Sequence, residues 1–258
     1  MNLSEDSFFA GGRHPDPERA IAHALELVRD SADAVDIGAA ASNPRARAVA
    51  PAEEIRRLDP VVAALQRQGV QVSVDSFEPV VQRWALTRHV DLLNDTRGFP
   101  DSSIYPQLAS SRSRLILMHA IQDTGKADRT PGDATTILDR VLGFFRQRLA
   151  ALEAAGIARE RCILDPGMGL FLGTGAAPSV AILRSLRTLR ECFALPVLVG
   201  VSHKSVVGLL SGRAVDDRGP ATLAAELYAV RQGVDWIRTH DVRALRDAIV
   251  VQGELEGR

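Results

Sequence analysis

Short runs of apolar and β-branched residues alternate along the chain with longer segments whose apolar positions recur at helical spacing. Seven such runs occupy residues 34–38, 70–76, 90–95, 114–119, 161–167, 196–202 and 235–240. The helical stripes between them include Ile21, Leu25 and Val28; Ile55, Leu58, Val62 and Leu65; Leu138, Val141, Phe144, Phe145 and Leu149; and Leu223, Leu227 and Val230. Continuous apolar strands separated by helices are typical of a parallel sheet that is buried on both faces. The pattern therefore predicts an α/β fold of seven parallel strands with helical crossovers.

The ends of these strands favour a closed barrel over an open sheet. Nearly every run ends in a polar residue, namely Asp75, Asn94, His119, Asp165, Ser202 and His240. In a (β/α)8 barrel such strand ends converge on one face, whereas an open doubly wound sheet concentrates function at one switch point. The length of 258 residues is close to the ~250 that are typical of one such barrel. Because no linker or internal repeat interrupts the pattern, residues 1–258 are predicted to form a single TIM-barrel domain.

A barrel of this type has eight strands, and the first is missing from the pattern. Residues 1–4 resemble the loop that follows a first strand, which would place that strand upstream of Met1. Without it, the strands at 35–38 and 236–240 are expected to present unpaired edges, which would lower stability or promote association.

Composition and charge narrow the choice of partners. The chain carries 31 basic and 32 acidic residues without a basic run, so neither nucleic acid nor a membrane surface is an expected partner. No apolar stretch reaches the ~18 residues of a membrane span, and the N-terminus lacks the features of a signal peptide. Cys162 and Cys192 belong to no C-x-x-C pair and are expected to be inert thiols, which suits a reducing cytoplasm.

Asp75, Asn94 and Asp165 end three strands and would therefore meet on one rim of the barrel. Two carboxylates and one carboxamide can bind the edge of a planar heterocycle, and the N–H/NH2 pair of a 2-amino-4-oxo pyrimidine matches a carboxylate bidentately. The alternative is that each residue caps the helix that follows it, as Asp75 would cap a helix over residues 77–86.

Three basic residues point to an anion or an oxo group near the same rim. Lys204 opens a helix, where its charge opposes the helix dipole, so a ligand role is favoured over that of a solvated lysine. Arg238 and His240 alternate on one strand end and would grip an oxyanion or phosphate. The alternative for this pair is an ion pair inside the barrel.

Other chemistries have weaker support. The G-x-G within residues 165–169 is a poor dinucleotide fingerprint because Leu172 stands where a third glycine is needed. No Walker loop or G-x-S-x-G context is present, and His119, His203 and His240 lie on different strand ends, so a zinc triad has little support.

Eight segments, taken in order, resemble the motifs of the dihydropteroate synthase family over the whole chain. They are residues 2–8 with Gly11 and Gly12 (N-x-T-x-D-S-F…G-G), 41–44 (S-T-R-P), 74–76 (V-D-T), 94–96 (N-D-I), 118–119 (M-H), 164–169 (L-D-P-G-x-G), 202–205 (S-R-K-S) and 237–240 (I-R-x-H). The segments S-N-P, G-F-P, D-P-G-M-G and residues 219–227 resemble the mobile, sulfonamide-resistant type of that family.

The resemblance implies a transferase that joins 6-hydroxymethyl-7,8-dihydropterin pyrophosphate to p-aminobenzoate, giving 7,8-dihydropteroate and pyrophosphate with the help of Mg2+. It implies a cytoplasmic homodimer that binds small molecules. The implied catalytic residues are Asp75, Lys204, Arg238 and His240. The implied pterin-binding residues are Asp75, Asn94, Met118, Asp165 and Lys204. The implied pyrophosphate-binding residues are Asn2, Ser42, Arg238 and His240, with Asn2 as the metal ligand. The implied p-aminobenzoate-binding residues are Ser42, Asn43, Pro44, Lys204 and Ser205.

The chain departs from the family pattern at four positions. Ser4 and Ser42 replace threonines, whereas Asn43 and His203 replace arginines near the anion and sulfonamide region. Two other functions remain open: a pterin-dependent methyltransferase that shares the Asp/Asn/Asp pocket, and a pterin-binding paralogue with little or no activity.

Overall fold

All seven predicted strands are present in the computed structural model, which describes residues 1–3, 16–40, 47–122 and 124–257. The strands are β1 (Val35–Gly38), β2 (Val72–Asp75), β3 (Leu92–Asp95), β4 (Arg114–Met118), β5 (Cys162–Asp165), β6 (Leu198–Val199) and β7 (Trp236–Ile237). The helices are α1 (Pro17–Arg29), α2 (Pro51–Arg67), α3 (Pro79–Thr87), α4 (Tyr105–Ser110), α5 (Ile137–Ala154), α6 (Ala177–Arg184), α7 (Leu186–Phe193), α8 (Ser205–Ser211), α9 (Gly219–Arg231) and α10 (Val242–Glu256).

The strands run parallel in chain order, as a barrel requires. β1 to β5 form one ladder and β6 pairs with β7. A bridge between Leu164 and Val197 joins the two groups, with the Leu164 amide donating to the Pro196 carbonyl over 2.9 Å. β6 and β7 are shorter than the predicted runs because the chain leaves the ladder early, at the turn that precedes α8 and at Arg238.

The first three residues extend the sheet beyond β1. Asn2 forms a parallel bridge with Gly38; the Leu3 amide donates to the Gly38 carbonyl over 2.7 Å and the Gly38 amide to the Met1 carbonyl over 3.1 Å. Met1–Leu3 therefore occupy the carboxyl end of a strand position, which corrects the prediction that they form a loop. Below them, between β1 and β7, lies a cavity of about 290 Å3 lined by residues that include Val35, Trp236 and Leu245.

Strand residues alternate between two cores with the period of two that β-structure imposes. Outward-facing residues such as Val74, Leu93 and Leu117 pack against the helices. Inward-facing Leu92, Ile116, Ile163 and Leu198 form a separate small cluster in the barrel. Because this cluster fills the interior of the barrel, the polar side chains of the candidate site lie above it, at the carboxyl ends of the strands.

The helix boundaries settle one of the alternatives raised by the sequence. α3 begins at Pro79 with Glu78 at the N-cap, so Asp75 does not cap the following helix. Pro17, Pro51 and Pro79 stand in first turns, where proline is favoured because the missing N–H has no helical partner there. None of the helices within the described ranges is long and apolar enough to cross a membrane.

Candidate active site

The predicted polar rim is assembled by strand register. Asp75 pairs with Asn94 across β2 and β3, and Asp165 pairs with Met118 across β4 and β5. Asn94 and Asp165 are buried, with 0% and 1% exposure, whereas the Asp75 side chain is 30% exposed. Buried polar side chains at adjacent strand ends need partners, and a polar ligand could supply them. Asn94 Oδ1 is such an atom, because none of the residues that the structure describes donates a hydrogen bond to it.

Arg238 crosses the barrel and joins the acidic residues of the rim. Its guanidinium lies 3.1 Å from Asp36, 3.3 Å from Asp165 and 4.0 Å from Asp75. Gly200 makes this path possible, because a Cβ there would lie only 3.0 Å from Arg238 Nε. The ion pair that stood as the alternative reading of Arg238 is therefore present, and it lies within the predicted site.

Asp36 is the acidic residue that the sequence analysis missed. It accepts hydrogen bonds from the Ser73 hydroxyl at 2.6 Å, the Asn94 amide at 3.3 Å and the Arg238 guanidinium at 3.1 Å. The sequence did contain a signal for Asp36, because it is a lone carboxylate in the middle of the apolar run at 34–38. A strand rarely buries an unpaired charge, so a partner inside the barrel was to be expected.

The protonation of the rim follows from burial and from neighbouring charges. Burial, together with the negative charge of Asp36, raises the pKa of the Asp75 carboxyl, and Arg238 opposes this shift. Burial disfavours the Arg238 cation, but Asp36, Asp165 and Asp75 outweigh that effect and raise its pKa. Asp75 therefore takes up a proton more readily than an ordinary aspartate does.

Lys204 lies close enough to the rim to interact with the charges of Arg238, Asp165 and Asp75. It is the N-cap of α8, and its Nζ stands 5.3 Å from the centre of the Phe171 ring, a cation–π distance. Burial and then the Arg238 charge lower the pKa of Lys204 to about 8, against the opposing effect of Asp165 and Asp75. Phe171 also packs with Met118 and Ala127, which gives the pocket an apolar wall suited to a flat ring.

The G-x-G at residues 167–169 serves close packing. Gly167 has φ +75°, and a Cβ there would lie 2.3 Å from the His119 carbonyl oxygen. Gly169 has φ +66°, and a Cβ there would lie 2.8 Å from Ser205 Oγ. These glycines let the loop after β5 approach the loops after β4 and β6, which brings Ser205 beside the pocket.

His240 and His203 lie together at the ends of β7 and β6. His240 Nδ1 is 2.8 Å from Ser202 Oγ, and its ring centroid is 5.6 Å from that of His203. Burial lowers the pKa of His240 to about 3, so its ring is neutral near pH 7. His119 is buried against Phe144, away from this pair. Over the ranges that the structure describes, no cluster of three or more His, Cys, Asp or Glu side chains could hold a metal ion.

The remaining predicted residues divide into two groups. Asn2 lies beside the rim, with its Nδ2 3.4 Å from the Ala40 carbonyl oxygen. Ser42, Asn43 and Pro44, predicted for pyrophosphate and p-aminobenzoate, lie outside the described residues, as does Ser4.

These features define a class of protein: a TIM-barrel enzyme with a pocket for a planar, polar heterocycle. The parallel barrel carries a polar rim, an apolar wall, and a lysine close to the carboxylates of the rim. The sequence model of the pterin binding enzyme family matches residues 1–240. The chain is 49% identical to the dihydropteroate synthase type-2 of Escherichia coli over 256 residues, covering 99% of this chain and 94% of that relative.

Solved structures agree with this class. The dihydropteroate synthase of Yersinia pestis with a sulfonamide drug complex matches with a TM-score of 0.90 at 31% identity, covering 100% of this chain and 93% of that one. The Xanthomonas albilineans enzyme in complex with 7,8-dihydropteroate matches with a TM-score of 0.83 at 34% identity, covering 100% and 92%. The chain belongs to the dihydropteroate synthase family of pterin binding enzymes, which are transferases of folate biosynthesis.

Proposed function

We propose that this protein condenses 6-hydroxymethyl-7,8-dihydropterin pyrophosphate with p-aminobenzoate, releasing pyrophosphate and 7,8-dihydropteroate. The observation that carries the proposal is the meeting of Asp75, Asn94, Asp165 and Lys204 at one pocket beside an apolar wall. Membership of the family and the dihydropteroate bound by the Xanthomonas albilineans relative support the same reaction.

The pterin would bind with its polar edge toward the acidic rim. Asp165 and Asn94 would bond the amino-pyrimidine edge, and Lys204 the oxo group, while Met118 lies in the apolar wall beside the ring. Loss of pyrophosphate leaves positive charge on the exocyclic carbon, and the Asp75 carboxylate at the pocket would stabilise it. The arylamine of p-aminobenzoate then attacks that carbon, and exclusion of water keeps hydrolysis from competing.

The leaving pyrophosphate would be held by Arg238, His240, Ser42 and Asn2. An arginine has five N–H donors, so the bonds to Asp36 and Asp165 leave further donors for an anion. His240 contributes a neutral ring, because its pKa is lowered to about 3 by burial. This weakens its electrostatic role and assigns most of the positive charge to Arg238.

Mg2+ fits this arrangement as an ion bound mainly through the pyrophosphate. Mg2+ keeps several waters and commonly uses only one or two protein oxygens beside substrate phosphates. The Asn2 carboxamide, beside the rim, is the side chain proposed to contribute such an oxygen. When bound, the ion would neutralise charge that develops on the leaving group.

The p-aminobenzoate is proposed to lie between Lys204, Ser205 and the segment of Ser42, Asn43 and Pro44. We also propose that the enzyme is insensitive to sulfonamides. The support is the resemblance of the segments S-N-P, G-F-P and D-P-G-M-G to the mobile, sulfonamide-resistant type of the family.

Two assays test the reaction directly. Calorimetric titration with the pterin pyrophosphate measures binding, and a pyrophosphate-release assay with and without p-aminobenzoate measures turnover. Release that depends on p-aminobenzoate supports the synthase, binding without release supports the paralogue, and methyl transfer from a methylated folate to a corrinoid protein supports the methyltransferase. The variant Asp165→Asn should lose pterin affinity, whereas the exposed control Asp247→Asn should not.

Complementation of a synthase-deficient strain, with and without sulfamethoxazole, tests the resistant subtype. Growth in both conditions supports the proposal, and growth only without the drug contradicts insensitivity. We further propose that residues 1–258 form one domain, that two copies form a homodimer, and that the enzyme works in the cytoplasm.

A further inference from the structure

The turn that carries Lys204 into the pocket has an unusual backbone. His203 has φ +53°, a left-handed conformation that a residue with a side chain adopts only where its surroundings hold it. Lys204 then takes φ −67° and ψ 164° as the N-cap of α8. The direction of the Lys204 side chain therefore depends on the contacts that hold this turn.

A second layer of residues supplies those contacts. The His203 amide donates to the Thr222 hydroxyl over 3.1 Å, and His203 Nδ1 lies 2.8 Å from the Val215 carbonyl oxygen. Arg218 contributes most, because its NH1 donates to the carbonyls of His203 at 2.8 Å and Lys204 at 3.4 Å. One guanidinium thus bonds both peptides that set the turn.

The guanidinium is itself held in place. Its Nε donates to the Arg213 carbonyl over 3.2 Å. Its plane lies on Gly208 of α8, where an added Cβ would stand 2.2–2.4 Å from NH2, Cζ and Nε. A side chain at position 208 would push the guanidinium out of this place, so Gly208 is the seat on which Arg218 rests.

We propose that Arg218, seated on Gly208, is a positioning residue for Lys204: it holds the turn at residues 203–204 so that the lysine ammonium faces the pterin pocket. Arg218 lies behind the turn and does not touch the substrate. The inference deepens the proposed function and rests on the assignment of Lys204 to pterin binding.

A double-mutant cycle tests this dependence. Arg218→Met should lower kcat/KM for the pterin pyrophosphate about 10-fold or more, mainly through KM, if Lys204 binds the oxo group. In a Lys204→Ala background the same change should cost no more than about 2-fold, because its route of action is gone. An equal loss in both backgrounds would overturn the proposal, as would no loss in the parent enzyme.

Three further variants keep the test independent of folding. Gly208→Ala retains Arg218 but displaces its guanidinium, so it should reproduce the loss although alanine favours helix. Arg218→Lys keeps a charge and one donor group and should recover part of the activity. Arg146→Met removes an exposed arginine of α5 and should leave kinetics unchanged. Wild-type activity in Gly208→Ala would show that the contact between Gly208 and Arg218 is not needed to position Lys204.

The outcomes separate this proposal from the proposed function. Absence of p-aminobenzoate-dependent pyrophosphate release by the wild type contradicts the synthase, and the cycle is then measured on pterin affinity by titration. Unchanged affinity in Lys204→Ala removes Lys204 from pterin binding and overturns the positioning role, whereas the synthase itself is decided by the release assay alone. Weakened affinity in Lys204→Ala but not in Arg218→Met overturns the positioning role alone.

Discussion

Lys204 is the residue whose protonation is expected to matter most near neutral pH. Its pKa is lowered to about 8 by burial and by Arg238, so the ammonium that would bond the pterin oxo group is present below that pH and lost above it. We therefore expect kcat/KM for the pterin substrate to fall as the pH rises through about 8. Lys204→Arg, which stays charged, should lose this alkaline limb.

The amine can also be observed directly. The chain has only two lysines, Lys126 and Lys204, so Nζ titration by NMR of isotope-labelled lysine gives two signals, and Lys126→Arg assigns them. A Lys204 signal that does not titrate below pH 9.5 would contradict the expected alkaline limb, where 9.5 is about one unit under the ordinary lysine value of ~10.4.

Asp36 is expected to tune its neighbour Asp75. Its charge adds to burial in raising the pKa of Asp75, so Asp36→Asn should lower that pKa while the new amide still accepts a bond from Ser73. Pterin binding that requires an ionised Asp75 should then persist to lower pH. Measuring pterin affinity from pH 5 to 8 gives the acid limb of binding. Asp33→Asn, which changes a side chain that is 73% exposed, is the control and should not shift that limb.

At the scale of elements, α9 turns a different face toward the protein interior from the one that its apolar stripe predicts. Its apolar stripe of Leu223, Leu227 and Val230 is only half buried, whereas Thr222 and Glu226 turn inward. Burial raises the pKa of Glu226 to about 7, with a hydrogen bond from Thr239 opposing the shift. The helix thus presents polar groups to the ends of β6 and β7, where Thr222 accepts the bond from His203.

Glu226 should make the stability of the protein depend on pH. Its folded-state pKa lies above that of a free carboxyl, so the folded state binds more protons between about pH 4.5 and 7 and stability falls as pH rises through that window. Glu226→Gln should flatten this part of the Tm profile, leaving a slope from Glu54, whose pKa burial also raises to about 7. If the exposed control Glu254→Gln flattens it equally, Glu226 is not the cause.

At the scale of the whole molecule, two helices on either side of α9 carry exposed apolar residues. Leu209 and Leu210 of α8 are 58% and 62% exposed, and Val250, Val251 and Leu255 of α10 are 64%, 58% and 83% exposed. Apolar surface of this kind commonly marks a protein interface. This surface supports the homodimer proposed above.

Sedimentation equilibrium at micromolar concentration should therefore report twice the mass of one 27.8 kDa chain. The double variant Val251→Asp and Leu255→Asp should shift the equilibrium to monomers without loss of the fold, checked by circular dichroism. A wild type that sediments as a monomer, or a variant that remains a dimer, would exclude α10 as the contact.

The strand positions, the barrel and the polar residues proposed for pterin binding followed from the sequence alone. Apolar runs with polar ends report burial on both faces and a shared rim, because both are properties of single strands and their spacing. This pattern singled out Asp75, Asn94, Asp165 and Lys204, and the family motifs then implied their role in pterin binding. None of this requires knowing which side chains touch.

Tertiary structure decided the rest, because it depends on contacts between residues far apart in the chain. Arg238 meets Asp36 across 202 residues, and the two shift the pKa of Asp75 in opposite directions beside the larger effect of burial. Arg218 reaches the His203 carbonyl only because Gly208 leaves space, and Met1–Leu3 pair with β1 only once the sheet exists. Pattern and spacing determine elements, whereas pKa values, positioning contacts and the cavity between β1 and β7 arise from how those elements pack.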